Sequence, residues 1–185
     1  MSVSSVQLLP SLGGDRVPAE SRPLLEKVRQ GFGYVPNLFA AFANSPALLE
    51  GYLNLDAAFE KGTLAAAERQ LVLLAASVAN ECSYCVAAHS TVAKRMLNVS
   101  PAIVSATRLG AALPEAKLDA LVNLTRELVL GQGHVAAATI RAFLNAGYRP
   151  GQVGEVLVGI ALKTLSNYTH HLSPVEVDPA FAAEL

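Results

Sequence analysis

Both cysteines of this chain and one of its four histidines lie within eight positions, in the stretch ANECSYCVAAHS at residues 79–90. If one helix begins near position 82, then at about 100° per residue Cys82, Cys85 and His89 all project from the same face. Thiols three positions apart on a helix have Cα atoms roughly 5 Å apart, within the range that a disulfide bridges. The spacing therefore predicts a thiol pair that can be oxidised and reduced without unfolding its helix.

The position of this segment also favours reactive sulfur. A thiol in the first turn of a helix lies near unpaired backbone N–H groups and the positive end of the helix dipole, which lower its pKa below about 8.5. His89, one turn later, can take the proton of Cys85 directly or through a water. Sulfur chemistry on an electrophile needs a thiolate, a second thiol that closes the disulfide and a proton carrier. The segment supplies each of them once.

Two other interpretations of the same residues stay open. The thiols can be a buried structural pair, or Cys82, Cys85 and His89 can be three ligands of a zinc ion, with His170 or His171 as the fourth. A thioredoxin-type site is disfavoured because it expects a strand before the CxxC motif, and no strand pattern precedes Cys82.

The bulk composition narrows the class of protein. The chain has 185 residues, of which 52% are apolar and 16% charged, and its mean hydropathy of +0.36 indicates apolar surface buried between subunits. The net charge of −1 gives no electrostatic reason to expect nucleic acid or an anionic membrane as a partner. No run reaches the roughly 18 apolar residues of a spanning helix, and no secretory signal is evident. We therefore expect a cytoplasmic, homo-oligomeric protein.

The remaining sequence predicts helices throughout. Residues 1–19 are rich in Ser, Gly and Pro and are predicted as a flexible arm or an extended wrap, and residues 20–185 as a single helical domain. Helix-start and helix-stop signals recur, and the run LAAAERQLVLLAASVAN is apolar over most of its circumference, which is typical of a buried helix. No window alternates as a strand does. We expect an all-α fold of about eight or nine helices without a sheet.

At these residues the chain resembles the alkylhydroperoxidase D-like branch of the carboxymuconolactone decarboxylase family. The family pattern is a carboxylate on a buried helix followed by CxxCxxxH at the start of the next, here LAAAERQLVLLAASVANECSYCVAAH. The segments YVPNLFAAFANSPALLEGYL and NYTHHL resemble the peroxidase-related members, and the similarity covers roughly residues 21–172.

The resemblance implies an alkylhydroperoxidase D-like fold in trimers, hexamers or dimer-based assemblies, and reduction of organic hydroperoxides by thiols. Cys85 would be the peroxidatic thiolate, Cys82 the resolving thiol and His89 the proton relay. No cofactor is implied beyond the Cys82–Cys85 disulfide, which an external protein dithiol or lipoyl-type donor would reduce. The alternatives are a non-peroxidatic disulfide oxidoreductase, a redox-sensing or zinc-binding helical module, and a decarboxylase like the family's namesake.

The sequence departs from the family's peroxidases at two positions. Gln70 stands where those enzymes carry a relay glutamate, and an amide cannot accept a proton at neutral pH. Tyr84 stands where a histidine is common. Glu81 and Glu155 are candidates for the missing carboxylate, and His171 is a candidate for a residue facing the site. If the relay needs a carboxylate, Gln70→Glu should raise turnover.

Overall fold

The computed structural model of the protein describes residues 8–185, and most of them lie in helices. Within this range nine α-helices follow one another and no strand occurs, which confirms the all-α prediction. The helices are α1 Arg22–Phe32, α2 Asn37–Phe42, α3 Pro46–Glu60, α4 Ala66–Ala79, α5 Ser83–Thr91, α6 Pro101–Leu109, α7 Ala116–Leu130, α8 Ala137–Asn145 and α9 Pro150–Leu172. A π-helical turn, Val92–Met96, continues α5.

Local sequence signals set the ends of several helices. Ser45 caps α3 by accepting a hydrogen bond from the Leu48 N–H at 3.3 Å, and proline occupies the first position of α3, α6 and α9. Gly33 and Gly110 end α1 and α6 with φ of 80° and 66°, a left-handed conformation that glycine adopts without a Cβ penalty.

Helix α4 is the centre of the fold. Its residues from Leu71 to Ser77 are all buried, as its apolar circumference predicted. Helices α5, α6, α7 and α9 all pack against it. The two helices that matter most for the thiol segment, α5 and α9, are therefore held on one common support.

The approach of α9 to α4 depends on Gly159. A Cβ at this position would lie 2.8 Å from Val72 Cγ1 and 2.9 Å from Phe59 Cζ, closer than such atoms can pack. The absence of a side chain here allows α9 to lie close to α3 and α4. Residues further along the same face of α9 are thereby brought toward α5.

Residues 8–19 lie against the helical body. The Leu9 N–H donates to Ser173 Oγ at 3.0 Å, the Leu12 N–H donates to Ala40 O at 3.1 Å, and Val17 is buried. Residues 1–7 of the predicted arm lie outside the described residues.

No helix in residues 8–185 combines the length and the apolar character that crossing a bilayer requires.

Candidate active site

Helix α5 presents the two thiols as its spacing predicted. Cys82 is the residue immediately before α5 and has extended backbone angles, and Cys85 lies in the first turn. Glu81, which joins α4 to α5, has a positive φ of 57° and turns the chain sharply between the two helices. Both cysteines are free thiols, and Cys82 and Cys85 are only 0% and 2% exposed.

The two cysteines have very different pKa values. The Cys82 thiol donates a hydrogen bond to Cys85, and this bond, together with the positive charge of Lys163, lowers the pKa of Cys85 to about 6 although burial opposes it. The same bond and burial raise the pKa of Cys82. Cys85 is therefore the thiolate at neutral pH, and Cys82 remains protonated beside it.

Lys163 is a buried lysine on α9 that faces the thiolate. Its residue is 1% exposed, and its Nζ lies 2.7 Å from His89 Nε2 and 5.8 Å from the centre of the Tyr52 ring. Burial acts to lower the pKa of Lys163, but its interactions with Tyr52, Cys85 and Cys82 leave that pKa raised. The group beside the sulfur is therefore an ammonium ion.

The ammonium fixes the protonation state of His89. An ammonium has hydrogens to donate and no lone pair, so His89 Nε2 must accept the hydrogen bond from Lys163. His89 Nδ1 then carries the proton and donates to Gln70 Oε1 at 2.9 Å. Burial and the charge of Lys163 hold the pKa of His89 well below its usual value of 6.5. His89 is a neutral imidazole with both nitrogens engaged.

Polar groups of α9 complete the surroundings of Cys85. The side chains of Ser166 and Asn167 help to lower the pKa of Cys85, while the Ser166 hydroxyl donates to the carbonyls of Leu162 and Lys163. Asn167 is fully buried, and its Oδ1 accepts a hydrogen bond from Asn80 Nδ2 at 2.9 Å. Its own Nδ2 is buried without a hydrogen-bond partner.

Tyr84 points to the C-terminal segment. Its hydroxyl donates a hydrogen bond to the buried Asp178, and its ring lies 5.6 Å from that of His170 and 6.2 Å from that of Phe181. Burial and the bond to Asp178 raise the pKa of Tyr84, which therefore stays a neutral phenol. Tyr84 anchors the last residues of the chain over α5.

The structure brings some of the predicted site residues together and leaves others apart. Gln70, Cys82, Cys85 and His89 lie around one point, with Tyr84 at its edge. Glu155 instead accepts hydrogen bonds from the Thr63 and Leu64 N–H groups at 2.8 and 2.9 Å, at the turn between α3 and α4. Glu81 and His171 are exposed. The ring beside Tyr84 belongs to His170, not His171.

The residues proposed as zinc ligands do not form a cluster. In the described part of the chain, no group of three or more His, Cys, Asp and Glu side chains is arranged to hold a metal ion. Both nitrogens of His89 are hydrogen-bonded to other side chains, and the ammonium of Lys163 stands beside it. A dication next to that ammonium would meet direct charge repulsion.

Sequence reasoning missed Lys163, Asn80 and Asn167. A signal for Lys163 was present, because it is the single Asp, Glu, Lys or Arg residue between Glu155 and His170 and directly follows an apolar run. The helical period places it on the same face as Gly159 and Asn167, four positions away on either side. A lone charge on an inward-facing stripe of small and apolar residues is typical of a functional lysine rather than a solvated one.

Comparison with known proteins gives a family match for the part of the chain that contains the two thiols. Residues 46–117, which include the whole thiol segment, match the model of the Carboxymuconolactone decarboxylase family. No curated protein matches the chain.

Solved structures extend the similarity over almost the whole chain. An uncharacterized peroxidase-related protein from Ralstonia eutropha JMP134, described as an alkylhydroperoxidase AhpD core, is 22% identical, with a TM-score of 0.81 over 97% of this chain and 96% of that one. A peroxidase-related protein from Silicibacter sp. TM1040 is 16% identical, with a TM-score of 0.78 over 99% of both chains.

A third structure comes from a protein with a different named activity. A cysteine-to-alanine variant of the debrominase Bmp8, in complex with 2,3,4-tribromopyrrole, is 17% identical to this chain. Its TM-score is 0.81 over 98% of this chain and 97% of that one. At these identities the likeness establishes the fold. Residues 46–117 thus match the model of the carboxymuconolactone decarboxylase family, and nearly the whole chain has the alkylhydroperoxidase-like fold of peroxidase-related proteins.

Proposed function

We propose that this protein is a two-cysteine thiol peroxidase that reduces organic hydroperoxides. The observation that carries the proposal is the position of Cys85, in the first turn of α5 beside the ammonium of Lys163, with the Cys82 thiol hydrogen-bonded to it. This arrangement supports a stable thiolate and holds a second thiol ready to trap the oxidised product.

The reaction follows from these positions. The Cys85 thiolate attacks the terminal oxygen of the hydroperoxide, the O–O bond breaks, and Cys85 becomes a sulfenic acid while the alkoxide takes up a proton. The Cys82 sulfur then attacks the sulfenic sulfur and forms the disulfide, and the displaced hydroxide leaves as water with the Cys82 proton. An external dithiol returns the enzyme to its starting state by thiol–disulfide exchange.

The burial of the thiols favours a slender electron donor. Cys82 and Cys85 are 0% and 2% exposed, so a thiol on a flat protein surface cannot approach them without rearrangement. A dithiol at the end of a long flexible arm, as in a lipoyl group, can enter where a protein surface cannot. We therefore favour a lipoyl-type donor over a donor whose thiols lie on a rigid surface.

Reductive removal of bromine is the second candidate. The debrominase Bmp8 shares the fold, and the neighbouring ammonium of Lys163 provides the proton that such a reaction delivers to carbon. In that reaction the Cys85 thiolate takes the bromine as a sulfenyl bromide, and the ring carbon takes a proton. Cys82 then displaces bromide and the same disulfide forms.

One experiment separates these possibilities. Reduced protein is mixed with one equivalent of tert-butyl hydroperoxide or of 2,3,4-tribromopyrrole, and free thiols and organic products are measured. We expect the hydroperoxide to convert both thiols to an intramolecular disulfide and to yield tert-butanol, and Cys85→Ser to abolish this. Cys82→Ser should stop at a sulfenic acid that dimedone traps.

The other outcomes are equally informative. Thiol loss only with tribromopyrrole would establish the debrominase instead. Full peroxidase activity in Cys85→Ser, or one zinc ion per purified chain, would overturn the proposal. If the protein is oxidised once and excess dihydrolipoamide does not support further turnovers, the protein is a redox sensor.

A further inference from the structure

Lys163 carries a buried positive charge that has no carboxylate partner. Its Nζ is hydrogen-bonded to a neutral imidazole nitrogen, His89 Nε2, and among residues 8–185 no carboxylate forms an ion pair with it. Asp56 on α3 is close enough to sense its charge but does not pair with it. A buried ammonium is costly unless an opposite charge offsets it. The negative charge it faces is the Cys85 thiolate.

This arrangement concerns the oxygen that leaves the substrate. When the thiolate attacks a hydroperoxide, its own charge is transferred to the departing alkoxide, which is a strong base. The ammonium that stabilised the sulfur is then next to a developing oxyanion inside a dry site. Stabilisation of charge where it appears in the transition state is the largest single contribution that such a site can make.

We propose, on the basis of the peroxidase function above, that Lys163 is the catalytic acid that protonates the leaving oxygen. The Cys85 thiolate, the Lys163 ammonium and the hydroperoxide give the sulfenic acid, a neutral alcohol and the Lys163 amine. Condensation with the Cys82 thiol then releases water. One proton has left Lys163 in this half of the cycle.

The proton returns in the reductive half. A dithiol donor delivers two hydrogens to the Cys82–Cys85 disulfide, which gives two thiols and an oxidised donor. The Cys85 thiol then ionises and its proton goes to the Lys163 amine, which restores the starting thiolate and ammonium. Electrons and protons balance over the whole cycle without any group other than hydroperoxide and dithiol.

His89 and Gln70 are positioning residues in this scheme. Gln70 Oε1 accepts a hydrogen bond from the Nδ1–H of His89, which leaves Nε2 to accept from the Lys163 ammonium and hold it in place. Because Gln70 is uncharged, it does not favour the imidazolium form, in which Nε2 would carry a proton and could not accept from Lys163. An amide at position 70 therefore suits a lysine acid, whereas a carboxylate suits a histidine relay.

The test compares two oxidants that differ in their need for a proton. tert-Butyl hydroperoxide releases a strongly basic alkoxide, whereas peracetic acid releases acetate, which leaves without protonation. Single-turnover rates of thiol loss are measured for both oxidants with wild-type protein, Lys163→Gln and the exposed-lysine control Lys61→Gln. At one pH the ratio of the two rates does not depend on the amount of thiolate, since both oxidants meet the same sulfur.

We expect Lys163→Gln to lower the rate of thiol loss with the alkyl hydroperoxide by about 100-fold or more relative to the rate with the peracid. This is the size of a general-acid contribution. Lys61→Gln should keep the wild-type ratio. An unchanged ratio in Lys163→Gln would overturn the role of Lys163 while leaving the peroxidase function intact. Failure of wild-type protein to reduce either oxidant would instead overturn the proposed function.

Wild-type protein provides a second measurement if Lys163→Gln does not fold. A series of hydroperoxides with alcohols of different pKa is reduced under single-turnover conditions. With an acid in place, the rate should depend weakly on the pKa of the leaving alcohol. A steep rise in rate as that pKa falls would show that the leaving oxygen departs unprotonated and would overturn the proposal.

Discussion

The side-chain amides of Asn80 and Asn167 are joined by a hydrogen bond of 2.9 Å that links the end of α4 to α9. Because Asn80 donates to Oδ1 of Asn167, the buried Nδ2 group of Asn167 has no hydrogen-bond partner and is available to the sulfur of Cys85, whose pKa Asn167 helps to lower. A residue outside the CxxC segment thus determines which end of an amide the thiolate meets.

The first prediction concerns this amide. Asn167→Asp replaces a donor by a carboxylate of the same shape, and a like charge beside the sulfur should raise the pKa of Cys85 by about one unit or more. The pH dependence of iodoacetamide alkylation measures this. The exposed Asn145→Asp serves as the control, and an unchanged midpoint in Asn167→Asp would show that the amide does not face the sulfur.

The second prediction concerns the pH dependence of Cys85 itself. Because its pKa is lowered to about 6, the thiolate is populated above that pH and alkylation should slow as pH falls through it. The measurement uses Cys82→Ser, whose hydroxyl can still donate to the sulfur, and Cys82→Ala, which cannot. In Cys82→Ala the pKa of Cys85 should lie closer to the ordinary cysteine value of about 8.5. Equal midpoints in the two variants would contradict the shared hydrogen bond.

The third prediction reverses the expectation drawn from the sequence for position 70. Gln70→Glu should lower hydroperoxide turnover by about 10-fold or more, because a carboxylate on Nδ1 favours the imidazolium and removes the acceptor for Lys163. Single-turnover rates measure the effect, with the exposed Gln132→Glu as the control. Faster turnover in Gln70→Glu would mean that a carboxylate–histidine relay operates after all.

The fourth prediction concerns stability. Asp178 is 4% exposed and accepts hydrogen bonds from Tyr84 Oη and from the Asn37 N–H at 3.2 Å. Tyr84→Phe removes one donor from this buried carboxylate and should lower the free energy of unfolding by about 1–3 kcal/mol. Urea unfolding measures it against Tyr168→Phe, whose hydroxyl lies on an exposed residue. Equal stability of the two variants would show that the bond contributes nothing.

The sequence predicted the part of the site that lies within one helix. The start of α5, the placement of Cys85 and His89 on it, and the burial of α4 all follow from helical periodicity and end signals, and the structure has them. Cys82 instead precedes the helix with extended backbone angles. Lys163 contacts His89 across 74 positions, and Asp178 contacts Tyr84 across 94. Such pairings depend on how whole helices pack, which periodicity does not encode.

The unknown packing of α9 also explains why the predictions for Glu155 and His171 were wrong. Glu155 is two turns before Lys163 on α9, a distance of about 12 Å along the axis, which brings it to the turn after α3. His170 and His171 are adjacent in sequence, but they differ by about 100° around the helix, so only one can face Tyr84. Without the packing angle of α9, the sequence could not select between them.

The geometry around Cys85 depends on Gly159, a residue that takes no part in the chemistry. Lys163 and Asn167 lie one and two turns after Gly159, where Val72 and Phe59 leave no room for a Cβ. A Cβ at position 159 would push α9 away from α3 and α4 and so move the side chains of Lys163 and Asn167 away from Cys85. The pKa of Cys85 thus depends on the distance between α9 and α4. A substitution that changes this distance would change the pKa without altering any polar residue.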